Sequence, residues 1–405
     1  MRHHDPYDFP DGSDEEEGME TDEDQYDAQC PDLEIVGSDA GSASSLSDTR
    51  SSTLYSASTG SHSESGTAFS HQRFHNWDDD SDDERMSTSS DTSLATRIQR
   101  DYSRDMATSE VYHLPADEEE RDRLRKQHHM LISIMRAKYP PGMERVLAST
   151  IPGEKRVLDL GCGNGEWISD VARDFPFCEC VAIDLVPIRD SRGLPPNVRT
   201  EVDDVNLGLQ HCYGQFDVVH VRLIASGVKD YQLLIEDISR ILRPGGVMEL
   251  CEFDFSIYNQ NHHPFTIHLH EPMASPYWAR WMAHLRHAVH GRGGDIFAAG
   301  YLWQWATKHP AFENIESRDV WLPTVPGNHS KFPSEFYALL RENVSSFLRA
   351  GKPLICGSGL SEEDFEFLRD QTLWELHHSD ETQFTRLQCL WASKRMDYVD
   401  PPNED

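Results

Sequence analysis

In residues 157–167, VLDLGCGNGEW, one aspartate and three glycines fall at alternate positions: Asp159, Gly161, Gly163 and Gly165. Glycine at that density costs backbone entropy, so this loop is one where a bare backbone must come close to a ligand. A dinucleotide phosphate loop, G-x-G-x-x-G, needs glycine where Glu166 stands, which disfavours an NAD-dependent oxidoreductase. Asp184 comes about 20 residues on, at the end of the next apolar run, where a Rossmann-like sheet presents a carboxylate to two ribose hydroxyls. Leu185 follows it as a further contact. In FDVVHVRL, His220 and Arg222 alternate onto one face about Val221, at the end of a strand. His220 is the base candidate by its ordinary pKa, and Arg222 would hold a carboxylate acceptor.

These residues need strand ends to stand on. RVLDL, ECVAIDL, NVRTEVDD, FDVVHVRL and GVMELCEFDF read as strands, and GEWISDVARDF and KDYQLLIEDISRIL as helices, the second stopped by RPGG. Strand and helix alternate through a core of residues 150–255, which implies a doubly wound, mostly parallel sheet with ligands at the carboxyl ends of its strands. Ahead of the core, Asp117 is an N-cap with Glu120 three residues on, and the helix it opens ends before Pro140. After Phe255 the alternation breaks. Residues from about 256 to 310 read as a helical insertion, whose Trp278, Trp281, Trp303 and Trp305 suit helical core or a cover for an aromatic substrate. Residues 311–397 add strands NIESRDVWLPTV and FTRLQCLWASKR with helices between them. His262, His263, His268 and His270 lack Cys or Asp partners, so no metal site is expected there, and Cys178 and Cys180 share one strand face as small core residues.

The D-x-G-x-G-x-G arrangement resembles motif I of the class I S-adenosylmethionine (SAM) methyltransferases. The resemblance implies a Rossmann-like seven-stranded fold and SAM as cofactor, whose zwitterionic end replaces a pyrophosphate and meets Asp159. It implies that an acid at the end of the third strand takes the adenine amino group. In EVDDVN that role fits Asp204, followed by apolar Val205, better than Asp203. LRPGGVMEL resembles the turn before the fifth strand. His220, Val221 and Arg222 would then lie where acceptor and sulfonium meet. Residues 112–131, YHLPADEEERDRLRKQHHML, are similar to the leading segment of fungal LaeA-like (TAM-type) methyltransferases, Y-x-LP-x-D-x-x-E-x-x-RL-x-x-QH. In that family the segment lies over the cofactor, which places His128 at the pocket. The likeness runs from roughly residue 110 to the end, and DDVN stands where many members carry an acid-acid-Ala-Glu run.

Of 405 residues, 70 are acidic and 37 basic, a net charge of −33, and the first 100 hold 24 acids against 6 bases. Residues 1–108, rich in Ser, Asp and Glu, bury too little apolar surface to fold and read as a disordered tail ahead of a domain over 109–405. The acidic balance argues against direct nucleic-acid binding. No apolar run is long enough for a membrane span, and unpaired cysteines suit an intracellular protein of cytoplasm or nucleus. The expected function is methyl transfer from SAM to a small-molecule or protein acceptor, with a link to regulation of secondary metabolism. The alternative is a catalytically silent scaffold acting through regulatory protein partners.

Overall fold

The computed structural model describes residues 35–37, 97–101, 104–108, 112, 114–188, 193–327 and 334–402. Most of the acidic segment expected to be disordered, residues 1–108, therefore lies outside the described residues. Three short strands are described within it: β1 (Ile35–Gly37), β2 (Arg97–Asp101) and β3 (Arg104–Thr108), the last two forming a separate hairpin.

The domain is built on β4 (Arg156–Leu160), β5 (Glu179–Asp184), β6 (Val198–Val202), β7 (Phe216–Arg222), β8 (Leu242–Tyr258), β9 (Phe312–Val325) and β10 (Gln383–Lys394). Their order across the sheet is β6-β5-β4-β7-β8-β10-β9, with β10 antiparallel to both neighbours and β1 on the outer edge of β9. Strand order reverses beside β4, which opens a crevice at the carboxyl ends of β4 and β7, the place where such sheets bind ligands.

Helices cover both faces, which is why β4, β5 and β7 read as unbroken apolar runs. On one face, α4 (Tyr231–Ile241) and α6 (Ala298–Lys308) bury Leu158, Leu160, Val219 and Met248. On the other, α2 (Met143–Leu147) and α3 (Glu166–Asp174) pack on Val157, Cys180, Ala182 and Val218, and Cys178 joins them. On that same side, α1 (Glu118–Met135) and α7 (Ser334–Ala350) cover Cys251, Leu322 and Cys389. Asp117 caps α1 as its sequence predicts, accepting from the Glu120 N–H at 2.9 Å.

The expected insertion begins later than the sequence indicates, because β8 continues to Tyr258. It contains α5 (Tyr277–Gly291) and α6, while α8 (Lys352–Cys356) and α9 (Glu362–His378) follow α7. Helices α5, α7, α8 and α9 form a second apolar cluster with the ends of β8 and β9. The four tryptophans divide between the clusters: Trp278 and Trp281 belong to the second, and Trp303 and Trp305 pack against the sheet. His262 stacks on Trp321 with ring centroids 3.9 Å apart. No helix of the described residues is long and apolar enough to cross a membrane.

The sheet's amino end is closed by charge. RPGG loops out of β8 between the pairs Phe216↔Leu242 and Val218↔Val247, and a Cβ on Gly246 would meet the Asp217 carbonyl at 2.9 Å. Buried Asp217 accepts from Lys155 Nζ at 3.1 Å, the Arg156 N–H at 2.9 Å and Arg243 Nη1 at 2.8 Å. One carboxylate thereby ties together the starts of three neighbouring strands.

Candidate functional site

Strand register builds the floor. Asp159 on β4 pairs with His220 on β7, and His220 with Glu249 on β8, so three polar side chains stand side by side across the sheet. His220 Nδ1 lies 2.8 Å from Asp159 Oδ1 and its Nε2 lies 3.8 Å from Glu249 Oε2. The imidazole stacks flat on Trp167, centroids 3.7 Å apart and planes 7° apart. Burial lowers the His220 pKa to about 4, so the ring is neutral and its Nδ1–H donates to Asp159. The same burial pushes Glu249 up to about 7.

The glycine loop follows β4 and opens α3. Gly161 has φ +70°, and a Cβ there would stand 2.3 Å from Cγ2 of Ile224 in the loop after β7. Only glycine meets both conditions. The Gly163 N–H donates to Asp184 Oδ2 at 2.8 Å, and the Val186 N–H to Oδ1 at 2.9 Å. Asp184 thus clamps the loop to the end of β5, and burial raises its carboxyl to about 6.

Above these strand ends lies a cavity of about 240 Å³. Asp159, Gly161, Gly163, Asp184, Leu185, Asp203, Val205, His128, His220 and Arg222 all border it, so most of the residues singled out in the sequence come together. Gly165, Asp204 and Val221 are not in its wall. Gly165 sits at the N-cap of α3, and Val221 is buried in the sheet core. Asp204 faces away because the chain turns into a short 3-10 helix, Val205–Leu207, where its carboxylate accepts from the backbone and side-chain N–H groups of Asn206 at 2.9 and 2.8 Å. Asp203 takes the place in the wall that sequence reasoning gave to Asp204.

His220, expected as a base, is held from one side within the sheet. It borders the cavity with its Nδ1 held by Asp159 at 2.8 Å and its Nε2 3.8 Å from Glu249 Oε2. Arg222 is held instead by the leading helix. Its Nη2 lies 2.9 Å from His128 Nδ1, and His128 Nε2 lies 3.2 Å from Asp170 Oδ2. A guanidinium can only donate, so His128 Nδ1 accepts and Nε2–H donates to Asp170. Burial keeps His128 below the ordinary histidine range.

Several wall residues carry no signature in the sequence. Tyr112 forms part of the cover, and a Cβ on Gly227 would meet its ring at 3.1 Å. Glu252, on β8 one residue past the partner of Arg222, accepts from the Ile224 N–H and the Tyr231 hydroxyl, both at 2.9 Å, and burial brings its carboxyl to about 7. Trp278 and Asn343 arrive from helices far along the chain. The closing of α1 over the loop had one visible sign, the leading segment itself: Asn164 Nδ2 donates to the Arg121 carbonyl at 3.1 Å.

A mostly parallel seven-stranded sheet with this strand order, a glycine loop after its central strand and an acid after the next defines the fold of a class I methyltransferase. Comparison with known proteins agrees: residues 131–315 match the family model of a methyltransferase domain. The chain is 49% identical over 295 residues to the secondary metabolism regulator LaeA of Coprinopsis cinerea, covering 72% of this chain and 73% of that one. It is 34% identical over 181 residues to methyltransferase PytC of Aspergillus terreus, covering 43% of this chain and 53% of that one. Among solved structures, phosphoethanolamine N-methyltransferase 2 of Haemonchus contortus, in complex with S-adenosyl-L-methionine, is 17% identical with a TM-score of 0.37, covering 66% of this chain and 56% of that one. The chain belongs to the LaeA-like family and carries its methyltransferase domain.

Proposed function

We propose that this protein is a working methyltransferase and not a silent scaffold, and that its role is tied to the control of secondary metabolism, as the names of its LaeA relatives suggest. The observation that carries the first part is the cavity itself. Cofactor-side carboxylates and a helix-lined extension border one continuous space, which a scaffold has no use for. The wall suits SAM by its chemistry. Asp159 would face the ammonium group, and Asp184 would accept from the ribose hydroxyls while its oxygens also hold the loop. Asp203 and Val205 would take the adenine edge and face, with Leu185 beside them. His128 would help close the cover.

When bound, the cofactor supplies an electrophilic methyl group on a sulfonium sulfur. The remaining work falls to the chain, in holding the acceptor in line and keeping water out. Arg222, held at one nitrogen by His128, would orient an anionic or electron-rich end of the acceptor. His220 is a positioning residue that fixes Asp159. Glu252 is the wall carboxyl balanced to exchange a proton near neutral pH.

The test is calorimetric titration of the full chain with SAM and, separately, with NAD, using Asp184→Ala as control. The expected result is SAM binding that weakens by about a hundredfold in the variant, as for lost hydrogen bonds to a charged group. Folded protein that ignores SAM would sink the proposal, as would NAD binding in its place.

A further inference from the structure

The cavity extends well beyond the residues assigned to the cofactor. Trp278, Met282, Leu285 and Val289 border it, spaced along one face of α5. Val289 lies eleven positions after Trp278, about 16 Å of helix at ~1.5 Å per residue. Leu340, Val344 and Phe347 of α7 border the same space.

Most polar groups in this half of the wall are already matched. Arg123 is bound bidentately by Glu120 at 2.9 and 2.6 Å, and its guanidinium lies 5.6 Å from the Phe347 ring centroid. Thr324 Oγ1 accepts from Trp278 Nε1 at 3.1 Å and lies 3.2 Å from Thr385 Oγ1. Asn343 is different. It borders the cavity between Leu340 and Val344, and its buried Nδ2 meets no acceptor among the described residues. A buried amide without a partner costs free energy that a ligand oxygen would recover.

We infer that the space between α5 and α7 holds a small, largely apolar methyl acceptor, anchored by an oxygen that accepts from Asn343 Nδ2. The inference rests on the methyltransferase reading and adds the substrate class to it. A buried peptide fits less well. Each of its backbone N–H and C=O groups would need a partner, and the polar groups described above in this stretch of wall are largely matched within the fold.

Two probes of nearly equal shape test this by fluorine NMR on the full chain, with and without S-adenosylhomocysteine: 4-fluorobenzophenone, which has a carbonyl, and 4-fluorodiphenylmethane, which lacks it. Both should bind the wild type, the ketone about fivefold tighter, as for one neutral hydrogen bond. Asn343→Leu should erase that preference while leaving the hydrocarbon's affinity in place. Met282→Trp, which fills the chamber, should weaken both probes by about tenfold or more without changing S-adenosylhomocysteine affinity. Val344→Phe does the same from α7 should Met282→Trp misfold. Failure of both probes to bind folded wild type would overturn the inference. So would binding that ignores the filling substitutions, displacement of the probes by S-adenosylhomocysteine, or a ketone preference that survives Asn343→Leu. If the probes behave as expected but S-adenosylhomocysteine does not bind, the chamber stands and the cofactor reading falls.

Discussion

The two ends of the central sheet treat buried carboxylates in opposite ways. At the amino end, Asp217 is met by Lys155, Arg243 and the Arg156 N–H, so its charge is cancelled within the fold. At the carboxyl end, half-buried Asp184 and buried Glu249 and Glu252 accept no hydrogen bond from a lysine or arginine among the described residues. Asp184 and Glu252 have backbone N–H groups, with the Tyr231 hydroxyl also on Glu252, and burial raises the three to about 6, 7 and 7. The same chemical group staples strands at one end and is left partly unmatched at the other. Unmatched polarity costs stability, and proteins tolerate that cost where a ligand or a reaction makes use of it.

Four substitutions would break or sharpen this contrast. The largest effect is expected at the carboxyl end itself. Gly161→Val places a branched Cβ at φ +70° against Ile224 and should reduce SAM affinity by more than about a hundredfold by calorimetry. A variant that still binds normally would show that the loop does not need its close approach.

Glu249→Gln comes next and depends on pH. The folded protein keeps a proton on Glu249 up to about pH 7, whereas the unfolded chain releases it near the ordinary value. The wild type's stability from this group is therefore full below about pH 4 and lost as pH rises through 7. Glutamine cannot ionise, so the variant should match the wild type near pH 4 and exceed it by about 2 to 3 kcal/mol near pH 8, measured by urea denaturation. His220 works the other way. With its pKa lowered to about 4, its contribution is present above about pH 6.5 and is lost as pH falls towards 4. An equal difference between Glu249→Gln and wild type at both pH values would contradict the buried, unmatched carboxyl.

Asp217→Ala should cost about 2 kcal/mol of stability by leaving its cations unpaired, a figure reduced for their partial exposure. It should change SAM affinity by no more than about twofold, because it acts at the far end. A large loss of binding would erase the division between the ends. The smallest effect, about 1 kcal/mol, is expected for Asp170→Ala, which takes away the acceptor of His128 Nε2–H. The His128 pKa, followed by NMR, should fall further, since Asp170 is what raises it against burial.

The amino acid pattern shows the carboxyl end of this sheet better than its cover. Asp159, the glycines and Asp184 are legible because they sit at fixed offsets from apolar runs, and strand period and loop geometry are local. That Asp203 and not Asp204 borders the cavity is illegible in the sequence because a 3-10 turn, invisible in the strand's alternation, rotates Asp204 onto Asn206. His220 looked like a base because its type suggests one. Only the register of three strands reveals that Asp159 holds its ring and that Glu249 stands beside it. Asn343 and Trp278 are set by packing between segments more than a hundred residues from the loop, and an asparagine in a helix carries no mark of what it faces.

The cavity is built from parts that differ in how freely they can change. Its floor belongs to β4, β5 and β7, whose register cannot shift without losing the core, while its far wall is the exposed-to-ligand side of α5 and α7. Side chains there, such as Met282, Leu285 and Val344, can be exchanged for others of similar bulk at a cost of under about 1.5 kcal/mol and leave the floor in place. Selection can therefore vary what this molecule accepts while the machinery that holds the methyl donor is inherited unchanged.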